Sequence, residues 1–139
     1  MTGQPTTGKT FQSRTASGNH GSRHSPVELR IKKDDKVLEI DFDDGSSFRI
    51  PAELLRVESP SAEVQGHGPG QKTVIAGRRH VNIIGAEPVG NYAVRLKFDD
   101  LHDTGIFSWD FLHDMGTRQD ELWTRYLQAL DAKGLKRDP

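Results

Sequence analysis

The sequence predicts a small α+β domain, and three observations lead to this fold class. Apolar and polar residues alternate with a period of two in several short runs, as in half-buried strands. Turn signals rich in Asp, Gly and Asn separate these runs. A longer segment near the C-terminus repeats its apolar residues at helical spacing. We therefore expect small antiparallel sheets of about six short strands, a short helix after the third strand and a C-terminal amphipathic helix.

Composition excludes several functional classes. The 139 residues fit one domain, and no apolar run approaches the length of a membrane span. The formal net charge of -1 gives no large basic field, so we expect neither nucleic acid nor a membrane as partner. The cysteine count of 0 removes disulfides and thiolate chemistry, which favours a cytoplasmic protein.

The first 25 residues differ in composition from the rest. They are rich in Gly, Ser and Thr, and they contain three basic residues and no acidic ones. Because they offer little apolar surface to offset the entropy of ordering, we predict a disordered arm over residues 1–25. An organellar transit peptide is the weaker alternative, since no amphipathic helical face is present. The domain is predicted over 26–134, with a flexible tail at 135–139.

Alternation places the first three strands. Each run has one apolar face and is followed by a charged or Asp-Gly turn. The apolar positions are Val27, Leu29 and Ile31; Leu38, Ile40 and Phe42; and Phe48 and Ile50. Pro51 can open a helix over Ala52 to Val57, which Ser59-Pro60 ends. The glycine-rich stretch 63–79 is predicted to be a surface loop.

The second half of the chain predicts another hairpin and two helices. The hairpin strands, 81–89 and 92–98, flank Gly90-Asn91, a pair suited to a tight turn. A brief strand at Ile106-Phe107 and a helical segment over 109–115 follow. The last helix is predicted from a capping box of Thr117 and Asp120 and from Gly134 at its end. Its apolar stripe comprises Leu122, Trp123, Tyr126, Leu127 and Leu130.

Catalytic motifs are absent from the sequence. Residues 70–73 read Gly-Gln-Lys-Thr, so the Gly-Lys-Thr of a phosphate-binding loop is broken. No Gly-x-Ser-x-Gly elbow occurs. His102 and His113 each directly precede an Asp, which is not the His-x-Asp pattern of a two-histidine, one-carboxylate iron site. We expect no catalytic centre.

Several motifs, in this order and spacing, resemble one known family. They are Leu29-Arg30, the Asp-Gly hairpin, Leu54-Leu55-Arg56 with Ser59-Pro60-Ser61, Gly66-His67-Gly68, and the segment from Phe98-Asp99-Asp100 to Gly105-Ile106-Phe107. From Pro26 to about Leu130 the chain resembles the γ-butyrobetaine hydroxylase-like N-terminal domain family.

In the hydroxylases, this resemblance implies a zinc site with three cysteines in a Cys-Pro-Cys-x-x-Cys pattern and one later histidine. The matching positions here are Ser59, Ser61, Val64 and His102. Serine hydroxyls are poor zinc ligands and valine is none, so we predict that the zinc site is lost. A hydrogen-bonded turn around the serines would then replace the metal, and His102 would cap the turn before the last strand.

The resemblance also implies a function that serves other proteins. The hydroxylases have a separate catalytic domain for iron and 2-oxoglutarate, and the same domain type is attached to Mrp-like P-loop carriers of iron–sulfur clusters. We therefore expect a non-catalytic accessory or interaction module without a cofactor. Its partner would be a protein, such as a component of iron–sulfur assembly or an oxygenase. The candidate contact residues are Gly66, His67, Gly68, Arg78 and Arg79.

Two alternatives stay open at this point. One is a metal-binding protein in which His67 and His102, with Asp100 or Asp103, hold iron or zinc, which requires their loops to meet in space. The other is a subunit that completes an oxygenase formed by another chain.

Overall fold

A computed structural model describes residues 10–12, 23–66, 68 and 70–139, the first three by their backbone alone. The strands are β1 (Thr10–Gln12), β2 (Pro26–Lys32), β3 (Val37–Phe42), β4 (Ser47–Pro51), β5 (Ile83–Val89), β6 (Ala93–Phe98) and β7 (Ile106–Ser108). The helices are α1 (Ala52–Val57), α2 (Ala62–Gln65), α3 (Trp109–Thr117) and α4 (Gln119–Ala132). The predicted α+β class is confirmed.

The first sheet has the order β1-β2-β3-β4, with every neighbouring pair antiparallel. Ile31 pairs with Leu38, which pairs with Ile50, so these apolar positions of the three predicted strands share one face. That face is buried in the core. Val27 is a correction: it falls at the register shift between Pro26 and Glu28 and is 46% exposed.

Two parts of the predicted arm lie among the described residues. Thr10–Gln12 pair with β2 through the backbone, which needs no apolar side chain and therefore leaves no signal in composition. The backbone N–H groups of Arg23 and His24 donate to the carboxylate of Asp110 in α3. The composition did not predict these contacts, and the rest of 1–25 lies outside the described part.

The second sheet has the order β5-β6-β7 and is also antiparallel. Gly90 has a φ of 55°, the left-handed conformation that the predicted hairpin turn requires. β5 begins at Ile83 rather than at residue 81, because the N–H of Asn82 bonds the side chain of Asp99. Tyr92 lies in the turn, exposed to solvent, and not on the core face with Val94.

The helices close the core against both sheets. All six residues of α1 are buried, and Ser108 caps α3 by accepting from the N–H of Phe111. The predicted capping box of α4 is wrong, because Thr117 belongs to α3 and its hydroxyl donates to the carbonyl of His113. Gly134 has a φ of 67° after α4, as predicted for a helix end. None of the helices in the described part is long and apolar enough to span a bilayer.

The predicted flexible tail 135–139 makes backbone and side-chain contacts with the domain. The carbonyls of Lys136 and Arg137 accept hydrogen bonds from the N–H groups of Gly77 and Arg79. The Arg137 guanidinium also pairs with the buried Glu53 in α1. These contacts join residues far apart in sequence, so no local pattern predicts them.

Candidate functional site

A cleft of about 330 Å³ lies between the turn that follows β6 and the segment around α2. We call it the Leu101 cleft. It is lined by Arg56, Glu63, Val64, Ile75, Asp100, Leu101, His102, Asp103 and Thr104. The cleft therefore brings together His102, Asp100 and Asp103 of the candidate metal ligands, and Val64 of the positions matched to zinc-binding cysteines.

A buried cluster of serine and histidine lies behind the cleft. The Nε2 atom of His102 lies 3.0 Å from the Ser59 hydroxyl and 3.4 Å from the Ser61 hydroxyl. The backbone N–H of Ser61 donates to the Ser59 hydroxyl at 3.4 Å. All three residues are buried. The two serines and the histidine that match zinc ligands thus meet in space and contact one another directly.

The surroundings of His102 fix its protonation. Burial and the charge of Arg56 lower the pKa of its imidazole, so the ring is neutral at pH 7. Its Nδ1 lies 3.1 Å from the Glu63 carboxylate, at ion-pair distance but without hydrogen-bond geometry. Its Nε2 lies within hydrogen-bond distance of the Ser59 hydroxyl.

Burial prevents Ser59 from acting as a nucleophile in this structure. Its relative exposure is 0%, and it does not line the cleft. Gly105 covers it so closely that a Cβ built there would lie 2.3 Å from the Ser59 hydroxyl oxygen. No substrate carbonyl can reach that oxygen, so the geometry suits a structural contact.

Gly105→Ala is expected to lower the free energy of unfolding by about 1–3 kcal/mol, because the new methyl group overpacks the Ser59–His102 contact. Urea denaturation measures this. Gly85→Ala is the matched control, since its Cβ would meet only the Lys97 side chain at 3.7 Å. Equal effects at both positions would contradict the close packing described for Ser59.

Two arginines engage the carboxylate of Asp100. The Nε of Arg56 donates to Oδ2 at 2.8 Å, and the Nε of Arg78 lies 2.8 Å from the same oxygen without hydrogen-bond geometry. Burial raises the pKa of Asp100. The guanidinium groups and the N–H of His102 lower that pKa by more than burial raises it, so the net pKa is below its usual range. Asp100 is therefore a poor free ligand for a metal ion.

Leu101 stands out on the rim of the cleft. It is 85% exposed, and its φ of 75° lies in the left-handed region. This conformation is unfavourable for a bulky L-residue. The turn is fixed by a hydrogen bond from the Leu101 N–H to the Phe98 carbonyl. Sequence reasoning treated residues 99–103 as a polar turn, although a leucine among aspartates was an available signal.

Four of the five candidate contact residues are described, and the two arginines among them face different partners. Gly66 ends α2 with a φ of 75°, and Gly68 is partly buried nearby. Position 67 lies outside the described residues. Arg78 points to Asp100 beside the cleft, whereas Arg79 pairs with Asp138 near the C-terminus. The predicted Arg78-Arg79 patch is thus divided between two carboxylate partners.

The fold and site define a class of small α+β domain with a polar cluster buried behind a surface cleft. Residues 29–113 match the family described as gamma-butyrobetaine hydroxylase-like, N-terminal. The chain belongs to this family, which confirms the resemblance. A comparison with curated proteins finds no match.

Solved structures show the same fold. Two NMR solution structures are 44% and 45% identical to this chain, each with a TM-score of 0.74. The matches cover 85% and 86% of this chain, and 93% and 89% of the other chains. A crystal structure from Acidithiobacillus ferrooxidans ATCC 23270, of a DUF971 family protein with unknown function, is 38% identical with a TM-score of 0.57. That match covers 66% of this chain and 92% of the other.

The residues at the zinc-matching positions do not fit a tetrahedral zinc ion. Ser59 and Ser61 offer neutral hydroxyls, Val64 offers no donor atom, and only His102 is a normal ligand. The hydroxyls and the imidazole are already satisfied by one another. Hydrogen bonds among these side chains connect the loop positions.

Proposed function

We propose that this chain is a non-catalytic accessory module that binds a protein partner through the Leu101 cleft. The observation that carries the proposal is Leu101 itself, which is held in an unfavourable backbone conformation with its side chain in solvent. An 85% exposed leucine on the rim of a cleft offers apolar surface that a partner can remove from water. Strain of this kind is often kept at functional positions.

The chemistry of the rim specifies the partner's surface. Glu63 and Asp103 are exposed beside Leu101, so an apolar pocket flanked by basic residues would complement it. Behind the rim, the Nη1 atom of Arg56 is buried and has no hydrogen-bond partner in the described part of the chain. An unsatisfied buried donor is costly, which supports a functional reason for this arrangement.

The family's other contexts support two classes of partner. Its domains accompany hydroxylases and P-loop carriers of iron–sulfur clusters, so an iron–sulfur assembly component is the first candidate and an oxygenase component the second. The proposed contact surface includes the part of the 63–79 segment that lines the cleft, namely Val64 and Ile75. It leaves out Arg79, which is engaged by Asp138.

The alternative of a metal-binding role through His102, Asp100 and Asp103 has less support. The two ring nitrogens of His102 face Ser59 and Glu63, and two arginines engage Asp100. Asp103 alone is exposed and has no such engaged side chains around it among the described residues. The contribution of His67 stays a prediction, since that residue is outside the described part.

Leu101→Gly is expected to weaken binding of an Mrp-like P-loop carrier by about 30-fold or more, the loss typical of a central interface anchor. Folding should be unharmed or improved, because glycine tolerates a positive φ. Titration of the isotope-labelled full chain, followed by NMR, gives the affinity and the shifted residues.

Leu127→Ala is the matched control, since Leu127 is another exposed leucine and lies on α4 outside the cleft. Shifts confined to residues that line the cleft, lost in Leu101→Gly alone, would support the proposal. Wild-type affinity in Leu101→Gly would refute the cleft as the contact surface. If the carrier fails and an oxygenase component binds, the second class of partner replaces the first.

A further inference from the structure

Three potential metal ligands converge far from the Leu101 cleft residues. In the described part of the chain, His24, Asp44 and His113 are the one group of three such side chains whose ligand atoms lie within 4.8 Å of one another. His24 precedes β2, Asp44 lies in the turn between β3 and β4, and His113 projects from α3. Tertiary folding brings together residues from three separate segments.

Asp44 and His113 already form a close pair. The Nε2–H of His113 donates to Oδ2 of the ionised Asp44 carboxylate at 2.9 Å, so an ion that binds both atoms replaces this proton. The other carboxylate oxygen, Oδ1, accepts from the backbone N–H of Ser46 at 2.9 Å and from its hydroxyl at 2.5 Å. This fixes the carboxylate so that Oδ2 faces the histidine. Metal–ligand bonds of about 2.1 Å place neighbouring donor atoms about 3.0–3.4 Å apart. The Nε2 atom of His113 and Oδ2 of Asp44 therefore need to separate only slightly to bind one ion.

A second carboxylate orients His24. Its Nδ1 lies 2.8 Å from Oδ1 of Asp110, which also accepts the backbone N–H groups of Arg23 and His24. An ionised carboxylate only accepts, so the ring proton is on Nδ1 and the lone pair is on Nε2. A histidine that donates one nitrogen to a carboxylate and offers the other as ligand is the usual arrangement in metal sites.

The two imidazole rings stack in this structure. Their centroids are 3.6 Å apart and their planes differ by 13°. Phe42 and Phe48 contact His113 edge-on, at centroid distances of 4.9 and 5.3 Å. The lone pairs of stacked rings lie in two parallel planes, so one ion can bind both rings only if the stack opens. His24 is the ring that would tilt, because its side chain is the more exposed of the two, at 23% against 17% for His113.

We propose that His24, Asp44 and His113 bind one divalent first-row transition ion, with Asp110 positioning His24. Two imidazoles and one carboxylate suit zinc, cobalt, nickel and ferrous iron. The cluster is partly exposed, which leaves a coordination position for water. The site is distinct from the positions matched to the family's zinc ligands and does not depend on the proposed partner-binding function.

Binding of the ion would link the residues before β2 to the β3–β4 turn and to α3. An ion that binds the folded state alone stabilises it by mass action, so the midpoint of thermal unfolding should rise with metal concentration.

The test uses the untagged full-length chain, since an oligohistidine tag would bind the same ions. Cobalt(II) and zinc are titrated separately, with the cobalt absorption spectrum and the imidazole proton resonances as readouts. We expect one saturable site per chain, with shifts at His24 and His113 that include loss of the ring-current effect of the stack. His24→Gln and His113→Gln should each abolish this binding, and Asp110→Asn should weaken it by about 10–100-fold.

His80→Gln is the control, because His80 is exposed and outside the cluster, and it should bind as the wild type does. Asp44→Asn removes the third ligand without changing a ring, so it tests the site even if a histidine variant is poorly folded. Absence of saturable shifts, or equal binding by wild type, His24→Gln and Asp44→Asn, would overturn the proposal.

Discussion

The variant Ser59→Cys/Ser61→Cys/Val64→Cys is expected to bind one zinc ion at these positions more tightly than the natural chain does. The structure supports this because the hydroxyls of Ser59 and Ser61 already lie 3.0 and 3.4 Å from Nε2 of His102. Val64 lines the same cleft as His102 and is buried. Two of the three substituted positions thus already contact His102, and the third lies on the wall of the cleft that His102 also lines.

The expected effect is large. Three thiolates and one imidazole form a complete tetrahedral donor set, and structural zinc sites of this kind contribute about 10–16 kcal/mol of apparent binding free energy at pH 7. At a free zinc concentration about 1,000 times Kd, the folded state gains about 4 kcal/mol. Thermal unfolding with and without zinc measures the gain, and a chelator should reverse it.

Two further variants make this result specific. Adding His102→Gln to the triple variant should weaken zinc binding sharply, because the fourth ligand is removed. Performing the experiment with His24→Gln also present excludes the separate site proposed above. A triple variant that folds but does not respond to zinc would show that these positions do not match the family's ligand positions.

Period-two patterns predicted most of the fold correctly because they report burial directly. Leu29, Ile31, Leu38 and Ile40 all face the core as predicted, and α1 spans the predicted residues. The errors occur where long-range backbone bonds decide the structure. Two such contacts leave no periodicity in the sequence: Thr10–Gln12 pair with β2, and the C-terminal residues bond residues 77–79.

The candidate sites show a similar division. The resemblance to the family identified Ser59, Ser61 and His102, and the structure brings these three together. It could not identify the cluster of His24, Asp44 and His113, whose members come from three distant segments. His113 was set aside because an Asp follows it directly, but adjacent residues on a helix point in different directions. Its carboxylate partner is Asp44.

Arg137→Ala is expected to lower the free energy of unfolding by about 3 kcal/mol, although Arg137 lies in the segment predicted to be a flexible tail. Its guanidinium donates to the buried carboxylate of Glu53 at 2.8 and 2.7 Å. The Tyr126 hydroxyl is the other donor to Glu53, at 2.6 Å. Removing Arg137 leaves a buried negative charge without its counter-charge, which is the costly way to break such a pair.

Lys136→Ala is the matched control for Arg137→Ala. Lys136 is exposed, and its contact with Gly77 runs through the backbone carbonyl, which alanine retains. Urea denaturation should show a near wild-type free energy of unfolding for Lys136→Ala. If both variants lose the same amount, the whole C-terminal segment is responsible and the Glu53 ion pair is not.

The pH dependence of the Arg137→Ala effect identifies Glu53 as its origin. Burial raises the pKa of Glu53, but hydrogen bonds from Arg137 and Tyr126 outweigh it, and the net pKa lies below the ordinary value of 4.5. In the wild type, Glu53 therefore stabilises the fold above that value, and this contribution is lost as the pH falls through the folded-state pKa. Without Arg137, burial dominates and the folded-state pKa of Glu53 rises. Protonation of Glu53 then removes the buried charge and reduces the destabilisation of the variant. The difference in free energy of unfolding should be largest near pH 7 and shrink below about pH 4.

A difference that stays constant between pH 7 and pH 3 would show that packing against Trp123, which lies 4.9 Å from the Arg137 guanidinium, is the main contribution of this residue.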